Sequence, residues 1–399
     1  MVNLDFNEKK KRLVDSLTSN DLLKDKRLYK AFLEIPLEEF IPKNYQDSLK
    51  IYEDIPNLFY YHDPSNYRTI SAPHMITIML QGLSLEKDDD LLILGAKSGY
   101  IAALAHRLAP QGEIIILEAN SEIAELTEKN LKKLDLRENI SVIVKNPLEG
   151  MPDLTPWQKI LVTGAIKQNR ITPLLRQLDK DEGVLYAPIG EGLVQTYTQI
   201  LRIEDNFYGK KQLQVRFTPL MTQVEIDELE LITDIDQYEE VDVEINPKKV
   251  EKTLEKINIK YETSVFDEIS FGEKGEEKPV AIKERDEAIE FFKQLKKCAI
   301  KFKREDDVNS CFENVEEMDA IIESLKNFKK ELGLKVKKTQ NLINQIRSYN
   351  IVRKQLESSS ISDSEIIEKK AEIINKQMEQ VNQLEDIIDS EIERLKKLE

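Results

Sequence analysis

The residues best suited to chemistry lie in one short run, Leu94, Gly95, Ala96, Lys97, Ser98, Gly99 and Tyr100, where an apolar stretch gives way to an amphipathic one. A strand, a glycine-bearing turn and a helix in that order let the backbone come close to a ligand and point free helix N–H groups at it. Twenty-three residues beyond Gly95 stands Glu118, at the end of the next apolar run, where an acid can accept from two ribose hydroxyls. Together these features describe a site for an adenosine-type nucleoside. The full G-x-G-x-x-G fingerprint is absent, and a plain tight turn followed by a helix-entry acid is the competing reading. His62, His74 and His106 are the only histidines, and Cys298 and Cys311 the only cysteines, with no ligand spacing among them. No metal site and no disulfide framework is expected, and a reducing, cytoplasmic setting is.

The elements that must position this run follow from the apolar pattern. LLILG (91–95), EIIILEA (113–119), ISVIVKN (140–146), KILVTGA (159–165) and GVLYAPIG (183–190) are short continuous apolar runs, expected of strands buried on both faces. Amphipathic stretches alternate with them, among them IAELTEKNLKKL with Ser121 as its expected cap. This alternation predicts an α/β fold with a doubly wound, mostly parallel sheet, whose ligands sit at the carboxyl ends of the strands. Trp157 is expected in the core, Cys298 in a buried helix face, His74 in packing, and His62, His106 and KKKR (9–12) on the surface.

The chain has 399 residues, 58 basic and 74 acidic, and its charge is uneven: residues 226–399 hold 30 basic and 42 acidic, leaving 28 and 32 for residues 1–225. No basic stripe is present to neutralise phosphates, so neither nucleic acid nor an anionic membrane is an expected partner. No apolar run is long enough to span a bilayer. Four regions are expected: an N-terminal helix (1–19), the α/β domain (20–225), an acidic connector with short strands, a helix and the linker FGEKGEEKP (226–310), and a helical hairpin (311–399). In the last region Asn314 with Glu317, and Ser362 with Glu365, have capping-box spacing. Ile367, Ile374, Val381, Ile388 and Leu395 repeat every seven residues, while Met318, Leu325, Leu332 and Ile346 line the preceding segment. The pattern predicts an antiparallel coiled-coil hairpin with an arm about 60 Å long, its seam covered by partner helices or a second copy.

Seven segments add a resemblance. FIP (40–42), YEDIP (52–56), TISAPHM (69–75), LGAKSGY (94–100), VTGA (162–165), PIGEG (188–192) and VRFTPL (215–220) occur in the order and spacing of the protein-L-isoaspartate O-methyltransferase family. The resemblance covers residues 20 to 221. It implies an S-adenosylmethionine-dependent methyltransferase fold acting on isoaspartyl carboxylates of proteins or peptides. By position, Ser71 matches the active-site serine, and Gly95, Ser98, Gly99, Tyr100, Glu118 and Asn146 match the cofactor site. Thr69, Ile70, Val215, Arg216 and Phe217 match the substrate border.

The departures from the family concern charge. An acid two residues before the first loop glycine and a glycine two after it are usual; this chain has Ile93 and Lys97. The Gly-Asp-Gly after the third strand reads Lys145, Asn146 and Pro147, and PSNYR precedes TIS in place of GHGQ. Asn146 keeps a carbonyl acceptor for adenine. At about 5 Å and an effective dielectric of about 20, each charge step beside a sulfonium is worth about 3 kcal/mol. The expectation is weakened binding of S-adenosylmethionine or a more anionic ligand, unless Lys97 turns outward. The competing function is a scaffold that has lost catalysis and assembles through its C-terminal helices.

Overall fold

The computed structural model describes residues 6–46, 50–64, 66–136, 139–222, 225, 241–245, 282–305, 311–358 and 364–398. The chain divides into two compact units, residues 1–271 and 272–399. The first unit opens with helices α1 (Phe6–Ser19), α2 (Lys26–Glu34) and the one-turn α3 (Lys43–Gln46). A hairpin of β1 (Asn57–Asp63) and β2 (Asn66–Ile70) then leads into α4 (Pro73–Leu83). The main sheet and its helices follow as β3 (Leu91–Leu94), α5 (Tyr100–Leu108), β4 (Ile114–Glu118), α6 (Ser121–Lys133), β5 (Ile140–Val144), β6 (Lys159–Val162), α7 (Thr172–Leu175), β7 (Asp181–Ile189), β8 (Gln195–Ile203), β9 (Asn206–Val215) and β10 (Val243–Ile245).

The strands lie side by side in the order β10-β9-β8-β7-β6-β3-β4-β5. From β5 to β7 they run parallel; β8 and β9 return antiparallel, and β10 pairs parallel to β9 at the edge. The five strands read from the sequence are all present. In β3 and β4 the continuous apolar runs arise because both faces are covered: Ile93 and Ile116 pack towards α4 and α5, while Leu92, Leu94, Ile115 and Leu117 pack with Trp157, Leu174 and Leu178 on the other face; the edge strand β5 is only partly buried. Because β3 has β4 on one side and β6 on the other, the winding reverses there, and the crevice outside its carboxyl end is the place for a ligand.

Several details correct the sequence reading. Asn120, not Ser121, caps α6, its side chain accepting from the N–H groups of Glu122 (3.0 Å) and Ile123 (3.2 Å). Lys10 in KKKR is buried, with its Nζ 6.0 Å from the Tyr52 ring centre, so that run is not wholly solvated. The hairpins β1–β2 and β8–β9 were not foreseen. The linker FGEKGEEKP and the expected cap Ser362 lie outside the described residues.

The second unit contains α8 (Ile282–Glu305), α9 (Val315–Leu332), α10 (Val336–Ser358) and α11 (Ser364–Lys396) around a core of its own that includes Phe292, Phe302, Leu325, Ile346, Leu384 and Ile388. Asn314 caps α9 as the spacing predicts, accepting from Glu317 N at 3.3 Å. The expected first arm, however, is two helices. Gly333 takes φ 61 after Leu332, and its N–H closes on Lys329 O at 2.7 Å, a left-handed stop that only glycine makes without strain. Of the heptad residues, Val381, Ile388 and Leu395 are fully buried within the unit, and Lys296 and Lys303 of α8 pair with Asp389 and Glu385 of α11. The covering helix comes from residues assigned above to the connector. Cys298, buried on α8 as expected, is disulfide-bonded, contrary to the expectation that the chain has no disulfide. No described helix is long and apolar enough to cross a membrane.

Candidate functional site

The turn after β3 is built under strain. Gly95 has φ 91, and a Cβ there would stand 2.5 Å from Thr163 Oγ1, so the position admits no side chain. Thr163 Oγ1 lies 2.9 Å from Leu94 O and 3.0 Å from Gly95 O, tying β6 to the start of the turn. Lys97 (φ 45), Ser98 (φ 63) and Gly99 (φ 89) are then left-handed in succession. The two that are not glycine each cost about 1–2 kcal/mol. Side chains hold them in place: the Ser98 hydroxyl donates to Phe40 O, and Asn130 Nδ2 donates to Ser98 Oγ (2.9 Å) and Ser98 O (3.3 Å).

Glu118 ends β4 with its carboxylate turned to the same turn. Oε2 accepts from Ala96 N at 2.9 Å and Oε1 from Asn120 N at 3.1 Å. Burial pushes its pKa up, opposed by these two backbone donors. Lys97 is 8% exposed, which settles its direction: it does not point to solvent. Burial, and then the nearby Arg68 charge, push its pKa down to about 8, against the pull of Glu118.

Arg68, on β2 three residues before Ser71, supplies a second cation. Its Nη2 donates to both oxygens of Glu225, at 3.0 and 3.1 Å, while Nη1 donates to Asn66 Oδ1 and Tyr67 O. The two side chains are 12% and 11% exposed. Glu225 is fixed in turn by Thr222, whose N–H donates to Oε2 at 2.6 Å while Glu225 N donates back to Thr222 Oγ1 at 3.2 Å, a reciprocal capping arrangement. Arg68, Lys97, Glu118, Gly95, Thr163 and Leu220 share one cavity with Phe59, Ala96, Gly164 and Pro219. Its volume is about 20 Å³, room for one water. A nucleoside-sized ligand needs several hundred. The glycine cradle and Glu118 suit S-adenosylmethionine, and Lys97 and Arg68 stand beside them as two cations.

Of the residues singled out by sequence, Gly95 and Glu118 line this cavity together with Lys97. Ser98 turns its hydroxyl away into the packing below, and Tyr100 is buried against Phe40, its ring centre 5.3 Å away. Gly99 stands against Thr127 and Leu131 of α6. Asn146 caps the turn after β5, accepting from Leu148 N at 3.0 Å, which leaves its buried Nδ2 without a hydrogen-bond partner. The acceptor that the sequence reading offered to adenine takes this one hydrogen bond and keeps a second lone pair. Thr69 and Ile70 end β2 and lead to the buried Ser71. Val215 ends β9, Arg216 is exposed, and Phe217 meets Tyr197 edge-on while its N–H donates to Gln195 Oε1 at 2.9 Å. His74 is half-exposed, with Nδ1 2.9 Å from Asp54 Oδ1, rather than packed. Sequence reasoning missed Arg68 and Glu225 as a pair; the only signal was the Thr222-x-x-Glu225 capping spacing.

A parallel sheet ordered β5-β4-β3-β6-β7, with a glycine turn after β3 and an acid ending β4, defines the S-adenosylmethionine-dependent methyltransferase class of doubly wound fold. The family model described as protein-L-isoaspartate(D-aspartate) O-methyltransferase matches residues 8–225, and the chain belongs to that family. It is 33% identical over 223 residues to the protein-L-isoaspartate O-methyltransferase of Staphylothermus marinus, covering 54% of this chain and 95% of that one. The corresponding protein of Ignicoccus hospitalis is 33% identical over 218 residues, 54% and 99% of the two chains. A solved protein-L-isoaspartate O-methyltransferase shares 28% identity at a TM-score of 0.48, covering 53% of this chain and 65% of that one. A Plasmodium falciparum structure in complex with S-adenosyl-L-homocysteine shares 22% at a TM-score of 0.45, covering 53% and 98%. Residues 226–399 lie beyond the family match.

Proposed function

We propose that the chain is an S-adenosylmethionine-dependent protein carboxyl methyltransferase of the cytoplasm, acting on isoaspartyl carboxylates in proteins or peptides, with reduced affinity for its cofactor. The observation that carries the reading is Glu118 at the end of β4, bonded to Ala96 N within a family match that spans residues 8–225. In this reading Ser71 faces the acceptor carboxylate, and Thr69, Ile70, Val215, Arg216 and Phe217 border the peptide. Gly95, Ser98, Gly99, Tyr100, Glu118 and Asn146 surround the cofactor, Ser98 and Tyr100 through backbone rather than side chain. Methyl transfer from a sulfonium needs alignment and desolvation more than a strong base, so the lack of a histidine or cysteine nucleophile is no obstacle.

A second reading, a catalytically silent scaffold that assembles through residues 311–399, is favoured by the buried Lys97 at the position of a family glycine. Calorimetric titration with S-adenosylmethionine and S-adenosylhomocysteine, followed by methyl transfer to an isoaspartyl peptide, separates the two. Micromolar binding with transfer sinks the scaffold. No heat up to millimolar ligand, restored by Lys97→Gly with Ile93→Glu, sinks the working enzyme. A monomeric mass for the full chain in solution removes the assembly role.

A further inference from the structure

The carboxylate of Glu225 is held as a bound ligand would be. Arg68 Nη2 donates to both of its oxygens and Thr222 N donates to one of them again, while Arg68 itself lines the cavity with Gly95 and Lys97. Glu225 lies close enough to Glu118 for the one carboxylate to act on the titration of the other, so it sits within the charge set of the site. A buried ion pair of this kind offers little stability over apolar side chains of the same volume, and fold stability alone therefore does not account for it. Exchange does. A ligand carboxylate taking the place of Glu225 leaves the guanidinium as well bonded as before.

We propose that Arg68 is the receptor for a ligand carboxylate in this site and that Glu225 is an internal competitor holding it until that ligand arrives. The inference rests on the methyltransferase reading above. That reading provides two sources of the same chemistry, the amino-acid carboxylate of the cofactor and the carboxylate of the acceptor. A competitor lowers apparent affinity by the fraction of molecules in which Arg68 is free, so removing it raises affinity by the inverse of that fraction.

The test uses the full chain, with Glu225→Gln removing the competing charge at constant size and Glu225→Asp keeping it. S-adenosylhomocysteine carries the tail carboxylate, adenosine lacks it, and an isoaspartyl peptide carries the acceptor carboxylate. Glu225→Gln is expected to tighten a carboxylate probe about tenfold or more, with adenosine unchanged, while Glu225→Asp stays near wild type. Adding Arg68→Gln to Glu225→Gln should abolish the gain while the thermal midpoint of the double variant stays near that of wild type. A gain confined to S-adenosylhomocysteine assigns Arg68 to the cofactor tail; one confined to the peptide, read as a lower KM at constant kcat, assigns it to the acceptor. If wild type binds S-adenosylhomocysteine and Glu225→Gln changes no probe, or tightens adenosine equally, the inference fails and the methyltransferase reading stands. If neither protein binds any probe, both fall.

Discussion

In the helical unit, Lys296 and Lys303 on α8 reach Asp389 and Glu385 on α11 along the outside of an apolar seam. In the sheet unit, Arg68, Lys97 and Glu118 line a cavity with room for one water, and Glu225 pairs with Arg68. The residue types are the same and their surroundings opposite. On the flank of a helix pair, water screens both charges and the ions flank the apolar contact, which supplies the stability. Around the cavity each charge has given up its hydration, and neutrality is kept only by the others. Charge at the cavity is therefore expensive and specific, and at the α8–α11 flank it is cheap and replaceable.

That contrast can be broken at its strongest point. Glu225→Ala leaves Arg68 buried without its carboxylate and should cost about 3–5 kcal/mol, measured by urea unfolding of the sheet unit. An effect within experimental error would show that the pair is effectively solvated. Lys97→Gly acts in the opposite direction, and a gain of about 4–5 kcal/mol at pH 7 is expected, about 3 from the desolvated ammonium and about 1–2 from the left-handed backbone.

The pH dependence sharpens the same point. Lys97 binds its proton up to about 8 in the fold and up to 10.5 when unfolded. Its folded pKa is thus depressed, and the unfolded chain holds more protons between those values. The penalty is fully present below pH 8 and is relieved as pH rises towards 10.5. The stability of wild type minus that of Lys97→Gly should climb by about 3 kcal/mol across that window, and a flat difference would refute the buried charge. Smallest is Lys296→Ala on α8, expected to shift stability by about 1 kcal/mol or less, with the effect fading in high salt.

Four of the five parallel strands, β3, β4, β6 and β7, were legible because a strand buried on both faces has no polar face to confuse its period, and the edge strand β5 because its run is apolar and β-branched. β8 and β9 were not, since QTYTQILRI and NFYGKKQLQV carry polar residues on faces that the fold also buries, such as Gln199, bonded to Gly82 O at 2.8 Å. In the helical unit the heptad count ran across Gly333, because a periodic pattern continues through a glycine that stops the helix. At the site, Gly95 and Glu118 could be read because spacing along the chain defines them. Arg68 and Glu225 could not, because they are 157 residues apart and only the fold brings them together. The burial of Lys97 was invisible for another reason: the direction of a side chain in a left-handed turn is decided by what packs around it.

The small cavity has a kinetic consequence. The nucleoside ligand proposed above is larger than the space now standing between Arg68, Lys97 and Glu118. Entry must wait for Arg68 and Lys97 to move, so the observed association rate in stopped flow should rise with concentration and then level off at the rate of opening. Ordinary second-order capture, linear throughout, belongs to a pocket that stands open.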